Sequence, residues 1–163
     1  MEDIFVVRQQ GGLTDDELRA ALEQSLQGRN LRRVLIIPPD FTRFHSQAGK
    51  ITNLYYHLLK ARDVLVDILP ALGTHAPVTK EQWQLMYGDI PYECMMIHDW
   101  RRDVLRLGEV PAEYVKQVTE GLWHDPVDVE INRRIMDPAY DLIISPGQVV
   151  PHEVIGMANH SKN

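Results

Sequence analysis

Five side chains with chemical potential each follow an apolar, β-like run. Asp40 and Arg43 stand with Thr42 in PPDFTR (38–43), His75 in LGTH (72–75), and His152 and Lys162 in PHEVIGMANHSK (151–162). Open α/β sheets carry their ligands at the carboxyl ends of such strands, so the chain reads as one wall of an active site. Imidazole exchanges a proton near neutral pH. A guanidinium holds a carboxylate or phosphate through a planar fork, and Asp40 can orient a neighbouring donor such as a histidine. Lys162 can form a covalent adduct once its amine is deprotonated.

Each of these residues also has a purely structural reading. Asp40 and Arg43 can close a turn as an ion pair, His75 can be a satisfied hydrogen-bonding residue, and Lys162 a solvated cation. His98, followed by Asp99, repeats the pattern of a histidine behind a strand and is read as a support for the catalytic groups. His152 and His160 are eight residues apart rather than at the i, i+4 spacing of a helical metal pair, and Cys94 is the sole cysteine. A metal site is therefore not assigned to these residues.

Periodicity supplies the elements that must position them. DIFVVR (3–8), VLIIP (34–38), VLVDIL (64–69), ECMMI (93–97), PVDVEI (126–131) and YDLII (140–144) read as strands. TDDELRAALEQSLQG reads as a helix, with Thr14 and Glu17 forming a capping box and Leu18, Ala21, Leu22 and Leu26 on one face. Ile51, Leu54, Tyr55, Leu58 and Leu59 have helical spacing within 47–62. A third helix begins at Thr79, with Gln82 in the capping-box position and Trp83, Met86 and Tyr87 turned inward. Strands alternating with helices predict a three-layer α/β fold: a mainly parallel twisted sheet with helices on both faces, Rossmann-like.

Composition narrows the class. A chain of 163 residues, 44% hydrophobic and 25% charged, suits a single α/β domain over 1–163. A net charge of −6 argues against a general nucleic-acid or anionic-membrane binder. The start has no secretory signal and no later run approaches about 18 apolar residues, so a cytoplasmic protein is expected. The closing VIGMANHSKN lacks the tail of a finished terminus, which suggests the first domain of a longer two-domain protein. No GxGxxG or GxxxxGK[ST] string cradles phosphates. A noncatalytic domain, or a nucleotide-binding one using other loops, stays open as an alternative.

The order PDFTR, GTHAP, HD, NRRI and SPGQVVPHEVIGM with a following lysine resembles the N-terminal domain of the lactate racemase family, the LarA-like nickel-pincer nucleotide enzymes. The resemblance runs from about residue 33 to the end. It implies a 2-hydroxy acid racemase or epimerase that works by proton-coupled hydride transfer with a nickel-pincer nucleotide, held covalently by Lys162 or bound noncovalently. His75 and His152 map onto the paired acid and base. Arg43 maps onto the substrate carboxylate site, Asp40 onto the support of the catalytic histidine, and Thr42 onto a cofactor contact. The resemblance places the nickel ligand beyond residue 163, in a C-terminal domain, so the isolated chain is expected to be folded but inactive.

Overall fold

The computed structural model describes residues 3–159. In chain order the elements are α1 (Asp15–Ser25), β1 (Arg33–Ile36), α2 (Ala48–Lys60), β2 (Leu65–Ile68), α3 (Lys80–Tyr87), β3 (Val104–Val110), α4 (Ala112–Val118), β4 (Val127–Asn132), β5 (Leu142–Ile144), β6 (Pro151–His152) and β7 (Gly156–Met157). They fall into two compact units, residues 98–138 and the rest.

The larger unit is an α/β domain built on a parallel sheet of order β2-β1-β5. Val34 aligns with both Val66 and Leu142, and Ile36 with both Ile68 and Ile144. Val34, Leu35 and Ile36 are wholly buried, as expected of a central parallel strand covered on both faces. One carboxylate pins the start of the sheet. Asp141 accepts the backbone N–H groups of Arg32 (2.7 Å) and Arg33 (3.0 Å) and the Arg32 guanidinium (3.0 Å). The guanidinium first, and the two N–H groups after it, hold its carboxyl down to about 2.

Local signals set the helix starts. The Thr14 hydroxyl accepts the Glu17 N–H (3.3 Å) while the Glu17 carboxylate accepts the Thr14 N–H (2.8 Å), and Thr79 with Gln82 repeats the exchange at α3. Leu22 and Leu26 are buried, and Leu18 packs beside them. The buried stripe of α2 runs through Ala48, Thr52, Tyr55 and Leu59, with Ile51 and Leu54 at its margin. Trp83, Met86 and Tyr87 are buried as their spacing predicts. The Trp83 indole donates to the Ile90 carbonyl (2.7 Å). Gly49 lets α2 approach α3, since a Cβ there would lie 2.1 Å from the Met86 carbonyl oxygen.

Two expected strands are not formed as such. Residues 3–8 are exposed and carry no strand pairing, because β-branched composition favours extended backbone without supplying a partner. Residues 92–94 make a 3₁₀ turn after Pro91, and only Met95 bridges to Ile68.

The smaller unit is an antiparallel ribbon of β3 and β4, joined through α4. Arg106 bonds Asp128 (2.7 Å) and Glu109 (2.6 Å) on one side, while Leu105, Val127 and Val129 are exposed. Strand β3 is absent from the sequence reading because a bulge between Arg106 and Gly108 breaks the two-residue alternation of VLRLGEV.

Two outcomes follow for stability. Gly49→Ala should cost about 1–3 kcal/mol in urea unfolding, since helix backbones rather than a flexible side chain must give way. Asp141 has a depressed folded value, so its contribution is fully present above the unfolded value near 3.8 and is lost as pH falls toward about 2. Asp141→Asn should flatten that part of the acid limb in a pH series of melting temperatures.

Candidate active site at the C-terminal sheet edge

Because β1, β2 and β5 are parallel, the loops that follow them leave the sheet at one edge. Pro38 and Pro39 end β1 and remove two backbone donors. Their carbonyls are still used: Pro38 accepts the Ala71 N–H (2.8 Å) and Pro39 the Tyr87 hydroxyl (2.8 Å). The Pro39–Ala71 bridge thus keeps the exits of β1 and β2 side by side. Burial, and then the nearby Asp40 charge, push the Tyr87 phenol well above its ordinary value. It stays a neutral donor.

Asp40 caps the 3₁₀ turn Phe41–Ser46. Its Oδ1 accepts the Thr42 N–H (3.1 Å) and the Thr42 hydroxyl (2.5 Å), and its Oδ2 lies 2.6 Å from His75 Nδ1. The carboxylate is 8% exposed and the imidazole 59%. A buried carboxylate with three donors is the anionic partner, so the His75 Nδ1–H donates to it. The ring's Nε2 is left with a lone pair. Gly73 at φ 55° turns the chain before His75, whose own N–H donates to the Leu72 carbonyl (2.9 Å).

Arg43 is exposed, and its guanidinium has no hydrogen bond or ion pair among the described residues. It is the Arg43 backbone N–H that closes the turn, donating to the Asp40 carbonyl (3.1 Å), and the guanidinium makes no ion pair with the Asp40 carboxylate. The hydroxyl of Thr42, expected to face a cofactor, is engaged by Asp40.

After β5 the chain folds back on itself. Ser145 donates to the Asn159 side chain (3.1 Å), and Ala158 N–H to the Val150 carbonyl (2.8 Å). His152 sits in the short β6–β7 hairpin with its side chain 11% exposed. Its Nδ1 accepts the N–H groups of Val154 (3.1 Å) and Ile155 (3.4 Å). Neither bond could be anticipated from residue types.

His98 belongs to the smaller unit, where its Nδ1 accepts from the buried Asn132 amide (2.8 Å). Asn132 opens the NRRI string and caps the following turn through the Arg134 N–H (2.9 Å). Cys94 is half-buried against the core. His160 and Lys162 fall outside the described residues.

A parallel α/β sheet with polar loops gathered at its carboxyl edge, one of them presenting a carboxylate-held histidine, defines the class of domain. The chain belongs to the lactate racemase N-terminal domain family, whose model matches residues 15–163. Its fold is similar to that of a Thermotoga maritima protein of known crystal structure (24% identity, TM-score 0.78), over 86% of this chain and 35% of that one. It is also similar to the lactate racemase apoprotein from Thermoanaerobacterium thermosaccharolyticum (19% identity, TM-score 0.57), over 83% and 33% respectively. The chain thus spans about a third of the length of either structure. No curated protein matches it. Among the described residues no helix is long and apolar enough to cross a membrane.

Asp40→Ala removes both a turn cap and the partner of His75. It should cost about 0.5–2 kcal/mol in denaturant unfolding and abolish the proton resonance of the His75 Nδ1–H hydrogen bond in NMR spectra.

Proposed function

We propose that this chain supplies the acid–base wall of a 2-hydroxy acid racemase or epimerase, an isomerase of the cytoplasm whose remaining parts come from a C-terminal domain. The observation that carries this reading is the Asp40–His75 pair: a buried carboxylate fixes an exposed imidazole by one nitrogen and leaves the other available as a base. Family membership supplies the reaction class.

The residues divide the work by their chemistry. His75 is suited to take the proton of a substrate hydroxyl at Nε2, after which the Asp40 carboxylate faces an imidazolium. The open guanidinium of Arg43 offers two parallel N–H groups to the substrate carboxylate, and so fixes which atom meets the base. His152 handles the proton at the second position, and His98 is kept as a supporting residue.

A nickel-pincer nucleotide, when bound, would supply the hydride acceptor that lets the carbon centre become planar. Arg43 and the polar loop around it fit the anionic parts of such a group, and Lys162 is the residue suited to tether it. Among the described residues no three His, Cys, Asp or Glu side chains cluster as metal ligands, so none is assigned to the nickel.

The test is interconversion of stereoisomers across a panel of 2-hydroxy acids by the full-length protein carrying its nickel cofactor. His75→Ala should lower kcat by roughly 10²–10⁴-fold. Arg43→Lys should raise KM about tenfold or more, since an ammonium cannot reproduce the fork. Absence of any interconversion, or full activity of His75→Ala, would remove the reading.

A further inference from the structure

One segment, residues 72–87, touches the Pro39–Asp40 dipeptide at two points. Near its start His75 Nδ1 lies 2.6 Å from Asp40 Oδ2, and at its end the Tyr87 hydroxyl donates to the Pro39 carbonyl (2.8 Å). The chain between these points is itself tied down. The His75 N–H donates to the Leu72 carbonyl (2.9 Å), the Val78 carbonyl accepts the Tyr92 hydroxyl (3.0 Å), and Thr79 with Gln82 closes the capping box that starts α3. Tyr87 is wholly buried, its ring centre 4.5 Å from that of Trp83. A phenol so enclosed has no room to swing to another acceptor. Burial first, and the Asp40 charge second, keep it protonated, so it always donates. Pro39 has no N–H, and its carbonyl is therefore the one backbone group by which residue 39 can be hydrogen-bonded.

We infer that Tyr87 is a positioning residue for the acid–base site: its hydroxyl fixes the peptide that precedes Asp40, and α3 thereby sets the separation of Asp40 from His75. The inference rests on the racemase or epimerase reading above. Tyr87 exchanges no proton in it and acts only through Asp40. On the other side of Asp40 the Arg43 N–H already holds the Asp40 carbonyl (3.1 Å), and the Thr42 N–H and hydroxyl hold Oδ1. The Tyr87 bond supplies the anchor on the proline side. Without it the Pro39 carbonyl is a buried acceptor lacking its donor, and the peptide is free to rotate away from α3. The carboxylate then no longer meets the imidazole at one fixed distance, and a base displaced by a fraction of an ångström loses its alignment with the substrate hydroxyl.

Tyr87→Phe keeps the ring in its place and deletes the one bond. Tyr140→Phe is the matched control, because that buried phenol donates to Asp67 (2.8 Å), the ion-pair partner of Arg33 at the start of β1. In NMR spectra of the cofactor-free protein the His75 Nδ1–H resonance should broaden or vanish in Tyr87→Phe and persist in Tyr140→Phe. In the full-length holoenzyme Tyr87→Phe should lower kcat for 2-hydroxy acid interconversion about tenfold and leave KM as in the wild type, while Tyr140→Phe keeps both. An unchanged His75 resonance, an unchanged kcat, a loss confined to KM, or equal effects in the two variants would overturn the assignment. Should Tyr87→Phe fail to fold, 3-fluorotyrosine in place of tyrosine preserves the shape and the hydroxyl. The fluorine signal of residue 87 should then respond to protonation of His75 and lose that response in His75→Ala, and a signal indifferent to His75 would equally overturn it. A wild-type protein that interconverts no 2-hydroxy acid would defeat the functional reading instead, and the spectra, which need no turnover, would still decide the role of Tyr87.

Discussion

A carboxylate taken out of water at the edge of a sheet must be surrounded by donors or lose its charge, and Asp40 is surrounded. Its neighbours come from two loops: the Thr42 amide and hydroxyl from its own, and His75 from the loop after β2. Satisfying one buried group therefore joins two chain segments. The same condition orients the imidazole, because its Nδ1–H donates and its other nitrogen is left free. The bonds that join the two loops at this edge are also the ones that orient the imidazole. The prolines before Asp40 support this arrangement, since the carbonyls of both are taken up by Ala71 and Tyr87.

Membership of the lactate racemase N-terminal domain family is consistent with where this edge lies. Parallel sheets gather their loops at the carboxyl ends of the strands, and here β1, β2 and β5 deliver Asp40, His75 and the His152 hairpin in that sense. The Arg43 guanidinium has no ion pair among the described residues, and both oxygens of the Asp40 carboxylate are taken by Thr42 and His75. The smaller unit has a different character. Arg106 there is tied to Glu109 and Asp128, and one of its two histidines, His98, is bonded to the buried Asn132.

Local information carried well from sequence to structure. Both capping boxes need only residues three apart, and the buried faces of α1, α2 and α3 follow helical spacing. That Asp40 could orient a histidine was legible as chemistry. Its partner became definite only through the pairing of β1 with β2, across 35 residues of sequence. Long-range or irregular features were opaque. The run at 3–8 has strand composition without a neighbour, and the bulge in β3 hides a strand whose partner is β4. Thr42 has a hydroxyl suited to many ligands, and only coordinates show it spent on Asp40. The bonds at His152 Nδ1 come from two backbone N–H groups, which no side-chain pattern encodes.

The position of β5 in the sheet bears on the order of assembly. β1 and β2 meet across a short stretch of chain, whereas Val34 must find Leu142 after the whole of residues 98–138 has intervened. Pairings between distant segments bear the larger loop-closure entropy and tend to come late. As the chain emerges during synthesis, the Asp40–His75 bond can therefore close while the segment bearing His152 has yet to be made. The Asp40–His75 pair thus exists before the His152 hairpin, which follows β5.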